Sequence, residues 1–143
     1  MCYSIPMQKR GISDADLRKM VADYMENGFL ENIIDMFRHD SSLYRLVGTL
    51  IQDERVRVRI GVTAMIEDLR RLDAEHVTEA VPGLIGALEH DEPFVRGDAA
   101  NLLGIIGDSA ALPFLRDAAD RDENPNVRLL AKEALNDIAG EKS

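Results

Sequence analysis

Tryptophan is absent from this 143-residue chain, cysteine occurs once, and aromatic residues supply only 5% of the positions. Each scarcity closes a route. A lone Cys2 forms no internal disulfide, so oxidative cross-linking does not hold the fold. With few rings to pack, the core has to be aliphatic, built from Leu, Ile, Val and Ala as helix against helix. Apolar residues are spread periodically and never run for the roughly 18 positions that a membrane-spanning helix needs. No signal peptide is read at the amino end, which makes the cytoplasm the expected location and leaves thiol attachment or lipidation at Cys2 without a leader. A chain of this length is one domain, able to bury about two-thirds of its unfolded surface.

Basic residues are scarce in the second half. Residues 1–72 hold eleven acidic and eleven basic side chains, whereas residues 73–143 hold fifteen and six, so the net charge of −9 lies entirely beyond residue 72. Two readings follow, solubility and an electrostatically biased partner surface. Binding of DNA or RNA along this half is disfavoured, because affinity for phosphate comes from Lys and Arg. A basic cluster at Arg55, Arg57, Arg59, Arg70 and Arg71 is interleaved with Asp53, Glu54, Glu67 and Asp68, the pattern of an ion-paired face and not of a nucleic-acid site.

What the chain does have is a repeat, at an interval of just over 30 residues from about residue 41 to 139. Val58-Arg59, Val95-Arg96 and Val127-Arg128 each open a helical segment, with apolar residues four, seven, eight and eleven positions later: Val62, Met65, Ile66 and Leu69; Ala99, Leu102, Leu103 and Ile106; Ala131, Ala134, Leu135 and Ile138. That spacing is one face of a 3.6-residue helix. A preceding helix aligns too: Leu43, Leu46, Val47 and Leu50 match Val81, Leu84, Ile85 and Leu88, which match Leu112, Leu115, Arg116 and Ala119. Each pair turns at an aspartate: Asp53, Asp91 and Asp122.

The punctuation agrees. Pro93 and Pro125 fall at the first turns of second helices, where a missing N–H costs little. Pro82 and Pro113 lie early in first helices. Asn124 reads as an N-cap, and Gly107-Asp108 as a helix-ending glycine followed by the next cap. Upstream, Asp14 to Asn27 and Phe29 to Arg38 make a degenerate pair divided by Asn27-Gly28, with Leu17, Met20, Val21 and Tyr24 on one face. The expected architecture is an all-α solenoid of about four antiparallel helix pairs. Residues 1–12 form an irregular lead-in, 13–40 an amino-terminal capping pair, and about 41–73, 76–107 and 108–140 the repeats. Ile5, Met7 and Ile12 either pack as a cap or mediate a dimer. The carboxyl end from Gly140 reads as short and polar.

The segments VRGDAANLLGIIGDSAALPFL and VRLLAKEALNDIAG resemble HEAT repeats, in particular the short bacterial and archaeal type found in phycobilisome lyases. The resemblance covers about residues 41 to 139 and is clearest from Pro82 onward. It implies second helices along a concave binding face, and arginines at 59, 96 and 128 that pair with the inner-turn aspartates Asp53, Asp91 and Asp122 to tie units together. Non-core positions of that face place Asp98, Asn101, Ile105, Glu133 and Asp137 as contacts for a protein partner with a basic segment. Leu129 and Leu130 either add apolar contact or pack against neighbouring helices.

Enzyme readings find little support. Some HEAT-type enzymes hold two irons with His-Glu pairs after the helix-opening arginine, but here those positions are Ile60-Gly61, Gly97-Asp98 and Leu129-Leu130. His39 and His90 end helices, where a cationic ring favours the dipole, and His76 with Glu79 makes two ligands and not a metal site. Ser13, Ser41, Ser42 and Ser109 read as N-caps and not as activated nucleophiles. Gly104, Gly107 and Asp108 follow no strand, which removes a phosphate loop. The expectation is therefore a non-catalytic interaction or scaffold module without metal or cofactor. The alternative, by family likeness, is a subunit or chaperone of a tetrapyrrole lyase or other cofactor-maturation system.

Overall fold

A computed structural model describes residues 11–142, and all the regular structure among them is helical. Cys2, Ile5, Met7 and most of the expected lead-in lie outside the described residues. Eight α-helices follow in order: α1 Asp14–Glu26, α2 Leu30–His39, α3 Val47–Leu50, α4 Val56–Leu72, α5 Val81–Ala87, α6 Pro93–Ile106, α7 Leu112–Arg121 and α8 Pro125–Lys142. The first helix of each repeat is entered through a 3-10 turn, at Ser41–Leu46, Val77–Ala80 and Ser109–Ala111. Pro82 and Pro113 each sit second in their α-helices, directly after these turns, where no helical N–H is required.

Local chemistry sets the boundaries. The Ser13 hydroxyl accepts the Asp16 N–H at 3.1 Å and starts α1. Asp40, and not Ser41 or Ser42, caps the first 3-10 turn, taking the Ser42 N–H at 3.1 Å. Asp108 caps the third through the Ala110 N–H at 2.9 Å, immediately after Gly107 ends α6 at φ 80°. Asn124 accepts the N–H groups of Asn126 and Val127 at 2.8 and 3.2 Å to start α8. Gly28, at φ 89°, turns the chain between α1 and α2. Gly140 does not end the last helix, which continues to Lys142.

The core is one layer between first and second helices, aliphatic except for Phe37 and Tyr44, which are fully buried and pack edge to face with ring centroids 5.2 Å apart, where sequence predicted aliphatic packing alone. Val58, Val62, Met65, Ile66 and Leu69 are buried in α4, as are Val95, Ala99, Leu102, Leu103 and Ile106 in α6. In α8 the same stripe buries Val127, Ala131, Ala134 and Ile138, with Leu135 packed partly against it. Two assigned faces differ from expectation. In α1 the buried residues are Leu17, Val21, Ala22 and Met25, while Tyr24 is turned out. The reason lies in α4: Met25 occupies the space that Gly61 leaves, where a Cβ would come within 2.6 Å of the Met25 Cγ. In α7, Leu115 and Ala119 are buried as expected, Arg116 is exposed, and Ala118 is buried beside them.

Candidate interaction surface

The helix-opening arginines share one geometry. Each directs Nη1 to the main-chain carbonyls of its own inner turn: Arg59 to Asp53 and Glu54 at 3.4 Å each, Arg96 to His90 and Asp91 at 2.9 and 3.0 Å, and Arg128 to Asp122 at 2.6 Å. In Arg59 and Arg96 the rest of the guanidinium reaches into the next repeat. Arg96 donates from Nε and Nη2 to the two oxygens of Asp122 at 2.9 and 3.0 Å, a bidentate pair in which each side chain is only 8% exposed. Arg59 donates from Nε to Asp98 at 3.1 Å and lies over the Phe94 ring, 4.4 Å from its centroid.

The aspartates divide their work unevenly. Asp53 pairs with Arg55 through both oxygens at 2.9 Å and approaches Arg18 at 3.6 Å, so its carboxylate is not the partner of Arg59. Hydrogen bonds from Arg55 hold Asp53 below the usual carboxylate range. Asp91 contributes its carbonyl to Arg96 and leaves its side chain exposed. Asp122 experiences burial, which raises its pKa, and stronger combined lowering by the Arg96 hydrogen bonds and the Asn124 N–H, so it too is held low. Asp98 shows the opposite balance: burial pushes it up, and Arg59 offsets only part of that.

Of the contact residues expected from sequence, Asp98 is thus engaged by Arg59 and 34% exposed at its side chain. Asn101, Glu133 and Asp137 are exposed, and Ile105 is half-buried. Ile105 and Asp137 come together in a cleft of about 570 Å³ that spans three second helices. Its walls are Glu67 and Arg70 from α4, Gly104 and Ile105 from α6, and Asn136, Asp137 and Gly140 from α8. Glu67, Gly104 and Asn136 occupy one repeat position, nine residues past each Val, which the sequence reading passed over. Gly104 is the signal that pointed there. A Cβ on it would lie 2.8 Å from both Cα and Cβ of Ala134, so its lack of a side chain lets α6 and α8 approach closely.

The histidines are absorbed locally. His39 donates from Nδ1 to the Asp35 carbonyl at 2.8 Å. His90 accepts the Glu92 N–H on Nδ1 at 3.0 Å, an acceptor role in place of the helix-end cap expected there. His76 contacts Asp73 at 3.0 Å, and Asp73 also accepts from the buried Tyr44 hydroxyl at 2.8 Å.

A family model described as HEAT repeats matches residues 43–136, well over half of the chain. The chain belongs to the HEAT-repeat family. HEAT repeats generally serve as protein-interaction scaffolds and are typically non-catalytic. A comparison with curated proteins found no match. Among the described residues, no helix of this HEAT-repeat chain is long and apolar enough to cross a membrane.

Proposed function

We propose that this HEAT-repeat chain is a non-catalytic interaction module whose second-helix face takes a basic segment of a partner protein. The observation that carries this reading is the cleft shared by α4, α6 and α8, where Ile105 is lined by Glu67, Asp137 and Arg70, two carboxylates against one guanidinium. A lysine or arginine lying there sets its aliphatic stem on Ile105 and its charge beside the two carboxylates. Exposed Glu133 and Asn101 extend the same surface. Asp98 serves this face indirectly, by fixing Arg59 and hence the spacing of α4 and α6. The alternative of a lyase subunit or cofactor-maturation chaperone rests on family likeness alone.

The test is capture from the source organism with tagged wild-type protein beside the Glu133→Lys/Asp137→Lys variant. A protein retained by the wild type and lost in the variant supports the reading. Equal capture by both removes the second-helix face. Visible absorption in the eluate redirects attention to cofactor handling.

A further inference from the structure

The first-helix layer carries a second surface, created where the repeat register breaks. Gly48 of α3 faces Gly83 of α5 so tightly that a Cβ on Gly48 would lie 2.7 Å from the Gly83 carbonyl oxygen, and the two helices pack directly. One unit further on, alignment of the repeats places Gly86 at the Gly48 position and Phe114 at the Gly83 position. A ring cannot enter that close approach. Helices α5 and α7 accordingly show no comparable packing, a Cβ on Gly86 would meet nothing within 4 Å, and Phe114 is 48% exposed.

The result is a groove of about 320 Å³ with an apolar floor of Ile85, Leu88, Phe114 and Ala118. Its rim carries Glu89, Asp117 and Asp122, with Arg121 as the one basic group. Asp122 is committed to Arg96, and Asp117 approaches Arg121 at 3.5 Å on an open surface where such a pair is weak. Glu89 takes part in no ion pair among the described residues, and the rim holds three carboxylates to one guanidinium, so the groove is apolar within and acid-leaning around.

We infer that the α5–α7 groove is a docking site for a partner segment bearing an aliphatic side chain flanked by lysine or arginine. The aliphatic group takes the space that the next helix fills in the preceding unit, against Phe114 and Leu88. The flanking cations meet Glu89 and Asp117, the complementarity that selects this occupant over an acidic one. The site lies on the opposite helix layer from the second-helix cleft and stands or falls separately from it.

The test titrates two synthetic helical peptides against the full chain, one with leucine at i and i+4 flanked by lysines, the other with glutamates in their place. Fluorescence anisotropy gives affinity, and methyl NMR locates the site. The lysine peptide is expected to bind at least about tenfold more tightly and to shift the Ile85 and Leu88 methyls, a ratio equivalent to one well-placed apolar or ionic contact. Gly86→Leu extends a side chain into the groove from a position whose Cβ has open space, and Phe114→Ser removes its apolar wall, so each is expected to weaken binding about tenfold or more. The Ile85 and Leu88 methyls report this groove, and the Ile105 methyl reports the second-helix cleft independently. Equal binding of both peptides, shifts confined to the Ile105 face, or indifference to Gly86→Leu would overturn the proposal. Self-association of the wild type that Gly86→Leu abolishes would also overturn it, by giving the groove to a second copy of this chain.

Discussion

Replacing Arg96 by methionine keeps the length and aliphatic packing of the side chain and removes its charge and all its donors. Four hydrogen bonds go with it, two to Asp122 and two to the carbonyls of His90 and Asp91. If the pair were exposed, the loss would fall in the range of about 0–1 kcal/mol that surface ion pairs contribute. Both side chains are instead only 8% exposed, so the relevant case is a buried pair broken on one side, with an expected cost of about 3–5 kcal/mol at pH 7. The pH dependence sharpens the test. Asp122 is held below its ordinary value, so its contribution is present above about pH 4 and is lost as pH falls through the lower folded value. In the methionine variant, burial acts on Asp122 with less opposition, its pKa rises, and protonation relieves the buried carboxylate. Urea unfolding is therefore expected to show a wild-type to variant gap that is large at pH 7 and smaller at pH 3. Adding Asp122→Asn to the methionine variant should recover part of the loss. A cost under about 1 kcal/mol at pH 7, or a gap that does not narrow in acid, would refute the buried-pair account.

Alanine at Leu102 or Leu103, both fully buried, is expected to cost about 2–5 kcal/mol each in urea unfolding, and losses below about 0.5 kcal/mol at both would mean the stripe is not core. Gly104→Ala is expected to destabilise despite the better helix propensity of alanine, because its Cβ meets Ala134 at 2.8 Å, whereas Gly86→Ala, with open space around it, should be neutral or gain up to about 1 kcal/mol. The opposite order in thermal unfolding would contradict the close α6–α8 approach. An NMR titration of His76 should give a midpoint above the ordinary 6.5, because its hydrogen bond to the Asp73 carboxylate favours the cation. The stability due to that contact is full below about pH 6.5 and lost as pH rises through the higher folded value, so the gap between wild type and His76→Gln should narrow from pH 6 to pH 8. A midpoint at or below 6.5 would show that the Asp73 contact does not form.

The helix pairs were legible because their information is local and repeated. A Val-Arg pair followed by apolar residues at helical spacing identifies the buried stripe of α4, α6 and α8, and Gly107-Asp108 and Asn124 mark boundaries through backbone chemistry that needs no neighbour. What remained hidden depends on contacts between units. Whether α1 buries Tyr24 or Met25 turns on the missing side chain at Gly61, 36 residues away along the chain. The three 3-10 entries could not be read from apolar periodicity, since three residues per turn and 3.6 per turn coincide over so short a stretch. His90 offers a further case: its place after a helix suggests a dipole cap, and only the tertiary geometry shows its Nδ1 accepting the Glu92 N–H.

The two surfaces proposed here arise from the same physical circumstance, in opposite layers of the solenoid. Residues that keep the repeat pattern, such as Val95, Leu102 and Leu103, have their side chains spent on the interior. Residues that depart from it are where space opens. Beside the second helices, glycine at 104 stands where Glu67 and Asn136 stand in the other units, drawing α6 onto α8 and leaving Glu67 and Asp137 to flank Ile105. In the first-helix layer, phenylalanine at 114 stands where glycine closes the earlier contact, and it parts α5 from α7. Charge follows the same division. The acids nearest the inter-repeat arginines are consumed in ion pairs, as Asp98 and Asp122 are, and acids displaced from that register, Glu67, Glu89 and Asp137, remain at the rims of the two openings. Reversing the second group is therefore expected to alter binding and spare folding, whereas reversing Asp122 is expected to do the opposite first. That contrast separates the part of the acidic surplus that binds from the part that holds the units together.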